Sequence, residues 1–168
     1  VHPNLDVFLV PTDGSRRPIA LTETSEATFI VDFAPDSNSV IVGEDKNRNE
    51  RVRLFEVVID KPEEMIPLTE EYPPFFLRGG ALHPNRKWLV YGANYDLEKK
   101  KEIEPTWVYR QNLENRDRIV LAKPKKPTWL YPQLNKQGTH VLYNRKELHP
   151  KGEQYWLVDI EGEEDREI

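Results

Sequence analysis

The stretch Leu82-His83-Pro84-Asn85-Arg86-Lys87-Trp88-Leu89-Val90-Tyr91 states the rule by which the whole chain is built. An apolar residue leads into a short polar turn with Pro or Gly, and three or four apolar residues follow. The same phrase stands at Phe33-Ala34-Pro35-Asp36-Ser37-Asn38-Ser39-Val40-Ile41-Val42 and at Leu134-Asn135-Lys136-Gln137-Gly138-Thr139-His140-Val141-Leu142-Tyr143. The copies begin at residues 33, 82 and 134, so 49 and 52 residues apart. Self-similarity at such a period marks a repeated supersecondary unit.

Two further phrases recur between these copies. An aromatic-rich run ending on an acid or amide reads Trp107-Val108-Tyr109-Arg110-Gln111-Asn112 and Gln154-Tyr155-Trp156-Leu157-Val158-Asp159. Arg53 to Asp60 is a looser copy, and Asp6 to Gly14 is a fourth near the N-terminus. A short closing phrase reads Pro18-Ile19-Ala20-Leu21-Thr22, Ile66-Pro67-Leu68-Thr69 and Arg118-Ile119-Val120-Leu121-Ala122, and Arg166-Glu167-Ile168 begins another. The runs are short, β-branched or aromatic, and bounded by Gly, Pro, Asn and Asp, which predicts strands. No stripe of helical period is sustained over ten residues. Leu97 to Glu104 permits a helical turn but has only two apolar residues, so a solvated loop is expected there. Glu44 to Glu50 and Lys146 to Glu153 read as its counterparts.

Each unit therefore has four strands: a leads into the polar turn, b follows it, c carries the aromatic run, and d closes. Four antiparallel strands repeated at this spacing are the arithmetic of a β-propeller. The expected architecture is an all-β partial propeller of about three four-stranded blades plus half a blade. Its units are a half blade at 1–22 and blades at 23–69, 70–122 and 123–168, within one domain. One such sheet cannot bury both of its faces, so the core must be shared between stacked neighbours. Open blade ends would then be covered by another copy or by loops. A β-sandwich is the alternative all-β arrangement, and it does not account for the repeated phrases.

Composition narrows the function. The 168 residues carry 24 Lys and Arg against 29 Asp and Glu, a net charge of −5. A nucleic-acid binder needs a basic excess, and so does a protein that adheres to anionic lipid. Cysteine is absent, which excludes thiolate chemistry and disulfides. That fits a reducing compartment, and a cytoplasmic location is expected. No apolar run approaches a membrane span, and Val1-His2-Pro3-Asn4 does not read as a secretory signal. Fourteen prolines would suggest disorder, but 4 Trp, 7 Tyr and 6 Phe set in short runs argue for folded strands.

The first phrase resembles the Ser-Pro-Asp-Gly-Lys turn of TolB-like propeller repeats, which also recurs in the N-terminal propellers of the prolyl oligopeptidase family of serine peptidases. The turn stands here as Ala34-Pro35-Asp36-Ser37-Asn38 and His83-Pro84-Asn85-Arg86-Lys87, and the third copy keeps only Gly138. Residues 23 to 122 carry the resemblance best. Ala20-Leu21-Thr22 and Pro67-Leu68-Thr69 match the leucine-threonine ending of such blades, and Tyr109-Arg110-Gln111-Asn112-Leu113 is a variant of their usual c strand. No Gly-His and Trp-Asp pair of the WD repeat is present. The resemblance implies a non-catalytic propeller that screens peptide substrates, partnered by a separate α/β-hydrolase domain. The rival is a TolB-like module that binds another protein. A polysaccharide lyase built on a propeller is a third possibility, disfavoured by the apolar strand-a positions.

No catalytic residue transfers with the resemblance. The nucleophile of that family sits in Gly-x-Ser-x-Gly, and Ser15, Ser25, Ser37 and Ser39 all lack that setting. His2, His83, His140 and His149 share no ligand spacing, so no metal site is expected. Asp45, Asn47, Asn49 and Glu50 lack the glycine and distal glutamate of a calcium loop. Gly79-Gly80 are too few for a phosphate loop, so no cofactor is expected, although they permit close backbone approach. Lys123 to Pro127 followed by Trp129 and Tyr131 reads as a link between blades. One residue stands out as a possible ligand contact. Arg78 lies on the innermost strand of its unit, where Phe29 and Leu130 are its counterparts. It is placed to meet an anionic group such as a peptide carboxylate, or to pair with a structural acid such as Asp32.

Overall fold

The computed structural model describes residues 5–71, 73–147 and 152–168. The chain divides into two compact units, Val1–Pro73 and Pro74–Ile168. In the first, β1 (Phe8–Leu9) and β2 (Ile19–Ala20) form a hairpin. A four-stranded antiparallel sheet follows, in the order β3 (Ala27–Phe33), β4 (Ser39–Asp45), β5 (Arg53–Val58), β6 (Lys61–Pro67). In the second unit β7 (Leu77–Leu82), β8 (Trp88–Asp96), β9 (Lys101–Asn112) and β10 (Arg118–Ala122) form another such sheet. A last one holds β11 (Gln133–Leu134), β12 (His140–Arg145), β13 (Gln154–Asp159) and β14 (Asp165–Glu167). The protein is thus an all-β partial propeller: three sheets that meander from strand a to strand d, and a hairpin supplying strands c and d of a fourth.

The cores follow from the strand sequences. Ser-Val-Ile-Val-Gly across Ser39–Gly43 is buried at every position, as expected for a strand covered on both faces. Val40, Val42, Phe55 and Val57 cluster with Leu21 from the hairpin, and Val7, Leu9 and Met65 pack around them. In the second unit Val90, Val108, Leu121 and Ala122 of one sheet meet Val141, Tyr143 and Val158 of the next, together with Leu130, which lies in the link before β11 and not on the inner strand where the sequence placed it. Along β12 burial alternates, with Val141, Tyr143 and Arg145 buried and the residues between them half-exposed. One face of that sheet is therefore the seam.

The repeated phrases have repeated hydrogen bonds. In each a–b turn the first residue accepts an N–H three positions on: Ala34 from Ser37, His83 from Arg86, Asn135 from Gly138, at 2.8–2.9 Å. The accepted residue has positive φ in all three copies: Ser37 (58°), Arg86 (60°) and Gly138 (77°). This is the slot that glycine fills in the Ser-Pro-Asp-Gly-Lys turn the phrase resembles, and the third copy keeps the glycine there. Asp36 and Asn85 stabilise the turn by accepting the N–H two residues later, at 3.0 and 2.9 Å. The leucine-threonine ending has a role as well. Leu21 and Leu68 donate their N–H groups to Val7 and Leu54, and Thr22 and Thr69 Oγ1 accept the N–H of those same residues at 2.9 Å.

Two loops are shorter than expected. Residues Lys101 to Glu104 are not loop but the start of β9, paired through Asp96↔Lys101 and Tyr95↔Glu102. Only residues 97–100 turn, and the Asp96 carboxylate accepts the N–H groups of Glu98 and Lys99 there, at 3.1 and 3.0 Å. Pro105 is accommodated because the register shifts between Ala93 and Tyr95, where a residue without an N–H breaks no ladder bond. The loop expected over Glu44–Glu50 is also shorter: Glu44 and Asp45 end β4, paired with Arg53 and Ala27, and the turn that follows holds one 3-10 turn, Lys46–Arg48. His2, His149 and part of Lys146–Glu153 lie outside the described residues.

Candidate functional site

Arg78 lies on the edge strand β7 and pairs with Gly92, as its counterpart Phe29 pairs with Gly43. Immediately after it the ladder bulges, with Gly79 and Gly80 set against Tyr91 alone. Gly79 has φ +66°, and a Cβ there would stand 3.3 Å from Pro132 Cδ. The glycines thus let the lead-in to the third sheet lie against β7, the close approach expected of them.

That approach brings the Lys123–Tyr131 link over Arg78. Trp129 sits with its ring centroid 4.2 Å from the Arg78 guanidinium, and Phe76 lies on the same group at 5.7 Å. Arg78 Nη1 donates to the Leu77 carbonyl at 3.1 Å. Among the described residues no carboxylate is within ion-pair distance of it, so the pairing with a structural acid does not occur. Asp32 instead accepts the N–H of Phe33. A cleft of about 310 Å³ opens beside the guanidinium, lined by Phe76, Arg78, Asn94, Glu104, Thr106, Pro127, Thr128 and Trp129. Asn94 Oδ1 fixes the Phe76 backbone at 2.7 Å. Trp129 is 67% exposed, whereas the Thr128 hydroxyl is buried and has no hydrogen-bond partner among the described residues. The lining holds two threonines, one carboxylate (Glu104) and the Arg78 guanidinium.

The other candidates take structural places. His83 Nδ1 accepts the Asn85 N–H at 3.0 Å, which leaves the proton on Nε2 to donate to the Gly138 carbonyl, also at 3.0 Å. The ring caps its own turn and ties it to the turn of the next sheet. His140 meets the Thr139 hydroxyl at 2.9 Å. Asp45 accepts the Glu50 N–H, and Asn49 accepts that of Arg51. Among the described residues, no three His, Asp or Glu side chains are grouped to hold a metal. Lys123 lies over Trp107 at 4.9 Å, so the basic-aromatic run is split between two partners. No helix among the described residues is long and apolar enough to cross a membrane.

Two part-buried networks gave no signal in the sequence. Tyr91, Gln111 and Arg118 join through Arg118 Nε, which donates to the Tyr91 hydroxyl (2.7 Å) and Gln111 Oε1 (3.0 Å). Tyr143, Arg145 and Asp165 form a second, in which the Tyr143 hydroxyl donates to Asp165 at 2.6 Å and Arg145 pairs with the same carboxylate. Burial pushes the Tyr109 and Tyr143 phenols well above their ordinary range. Both stay protonated and act as donors. The first unit presents an apolar groove of about 440 Å³ lined by Phe8, Leu9, Phe29, Ile30 and Phe33 among others.

No protein-family model and no curated protein sequence matches the chain. Solved structures do match its fold. A TolB-like protein from Agrobacterium tumefaciens superposes with TM-score 0.73 at 13% identity, covering 96% of this chain and 55% of that one. TolB from Acinetobacter baumannii gives 0.71 at 11% identity, over 95% and 36%. A prolyl endopeptidase structure gives 0.53 at 16% identity, over 96% of this chain and 28% of that one. The chain therefore spans about half, or less, of the length of the proteins it resembles. At these identities the likeness is one of fold, and that fold is a TolB-like β-propeller.

Proposed function

We propose that this chain is the non-catalytic propeller portion of a prolyl-oligopeptidase-like serine peptidase, and that it screens peptides on their way to a separate α/β-hydrolase catalytic domain. The observation that carries this reading is the fold match to the prolyl endopeptidase, which takes in nearly all of this chain and a little over a quarter of that one. The unpaired Arg78 beside an exposed tryptophan supports it, since both groups suit a peptide. The test is made on the intact protein that contains this chain. Its coding sequence is expected to carry a Gly-x-Ser-x-Gly element, and its peptide hydrolysis is expected to be blocked by a serine-reactive phosphonate. The 168-residue chain alone is expected to hydrolyse nothing. An intact protein without that element, or hydrolysis by this chain alone, overturns the reading.

A second reading, a TolB-like module that binds another protein, draws on the exposed apolar residues of the first unit: Phe8, Val10, Phe29, Ile30 and Phe33. The same coding sequence separates the two, because further blades without a nucleophile element favour the module.

A further inference from the structure

We propose that the Arg78 cleft is a subsite for the carboxyl terminus of a peptide whose last side chain is apolar. The inference deepens the peptide-screening reading and takes from it the identity of the ligand as a peptide. The guanidinium has five donors in a planar fork that matches a carboxylate. One hydrogen bond goes to the Leu77 carbonyl and one face lies on Trp129, so the fork is held in place while its remaining donors have no acceptor among the described residues. Stacking on an indole fixes the orientation without neutralising the charge.

The lining selects among anions. Glu104 is exposed, makes no ion pair among the described residues and stands in the same cleft. A nearby negative charge weighs twice as heavily on a phosphate dianion as on a carboxylate. The Thr128 hydroxyl, buried without a partner among the described residues, is costly as it stands and would gain from a second ligand oxygen. Phe76, Pro127 and Trp129 supply apolar wall. At about 310 Å³ the cleft is near the lower bound of ligand sites, room for one or two residues. A terminal residue offers a carboxylate and an apolar side chain from a single Cα. An internal Asp or Glu lacks that second group and would need space for chain on both sides.

The experiment is calorimetric titration of the 168-residue chain with N-acetyl-Ala-Phe as free acid, as amide, and with an amidated N-acetyl-Ala-Asp. The Trp129 indole N–H is followed by NMR in parallel. The free acid is expected to bind and to shift Trp129, and each amide to bind at least about tenfold more weakly. Arg78→Lys, which keeps the charge but not the fork, is expected to weaken the acid several-fold, with the other indole signals unmoved. Equal binding of acid and amide, no binding of the acid, or inorganic phosphate binding as well as the acid overturns the proposal. Equal binding of the amidated Asp peptide overturns the terminal assignment. The acid–amide contrast uses the unmodified chain, so a poorly folded variant cannot obscure it. None of these results depends on a catalytic domain, so the subsite and the peptidase reading fail separately.

Discussion

Leu130→Ala and Leu142→Ala are the same chemical change in the same unit, and the structure gives them different consequences. Leu130 is fully buried in the seam between the second and third sheets, beside Val90, Val108, Val141 and Val158. Removing three carbons there forfeits about 2.4 kcal/mol of transfer free energy at ~0.8 per carbon, and the cavity adds to that. The expected loss is about 3–4 kcal/mol. Leu142 lies on the opposite face of β12, half-exposed, where the surface can close over the deletion. About 1 kcal/mol is expected. Urea unfolding followed by tryptophan fluorescence gives both values from the midpoint shift at constant slope. Gly92 supplies an internal check, because a Cβ there would stand 2.9 Å from Leu130 Cδ1 and 3.0 Å from Thr106 Cγ2. Gly92→Ala should therefore destabilise the parent chain and be milder by about 1 kcal/mol in the Leu130→Ala background. Equal costs for the two leucines, or strict additivity of Gly92→Ala with Leu130→Ala, would refute the stacked-sheet seam.

Gly138→Ala places a methyl 2.8 Å from His83 Cδ2 and Cε1 at a φ of +77°. Left-handed strain of about 1–2 kcal/mol and a displaced hydrogen bond of about 1 kcal/mol should lower the melting temperature, and His83→Ala should recover part of it. Arg110 lies over Trp88 at 4.0 Å, donates to the Ile160 carbonyl at 2.9 Å and pairs with Glu161. Arg110→Lys should cost about 1 kcal/mol in urea unfolding with little salt dependence, since lysine keeps the charge and what is lost is the stacking on Trp88 and the bond to the Ile160 carbonyl. Desolvation pushes the Asp159 carboxyl up, but the N–H groups of Glu163, Glu164, Glu161 and Gly162 outweigh it and hold it below its ordinary value. Asp96 is likewise held low, first by the Lys99 N–H. For such groups the stabilisation is complete above the unfolded value of about 3.9 and is lost as pH falls through the lower folded one. Thermal stability should therefore drop steeply below about pH 4, and Asp159→Asn should flatten that slope. An unchanged slope counts against the turn's role.

The strands were legible where sequence and backbone obey the same local constraint. The a–b phrase announces itself because one turn needs a left-handed residue and an Asp or Asn two positions from an N–H. Those needs recur at Ser37, Arg86 and Gly138 even where the motif glycine is gone. Strand β9 was harder to read, because Lys101-Glu102-Ile103-Glu104-Pro105 has the charge of a loop and a proline inside it. Only the bulge opposite Asn94 lets that sequence run as strand. Arg78 could be singled out as a cation on an inner strand. Its stacking on Trp129 could not, because that contact depends on Gly79 admitting Pro132, a long-range approach with no periodic signature. The tyrosine networks were hidden for the same reason. Tyr91, Tyr109 and Tyr143 read as apolar strand residues, and the partners of their hydroxyls are set by sheet register.

Methyl NOE spectroscopy on the valines and leucines of the second unit tests the central claim most directly, that the hydrophobic interior lies between stacked four-stranded sheets. The account predicts cross-peaks linking Val90 and Val108 to Val141, Val158 and Leu130. It contradicts the account if those methyls show no cross-peaks between the two sheets, or if the half-exposed Leu142 and Leu157 take their place.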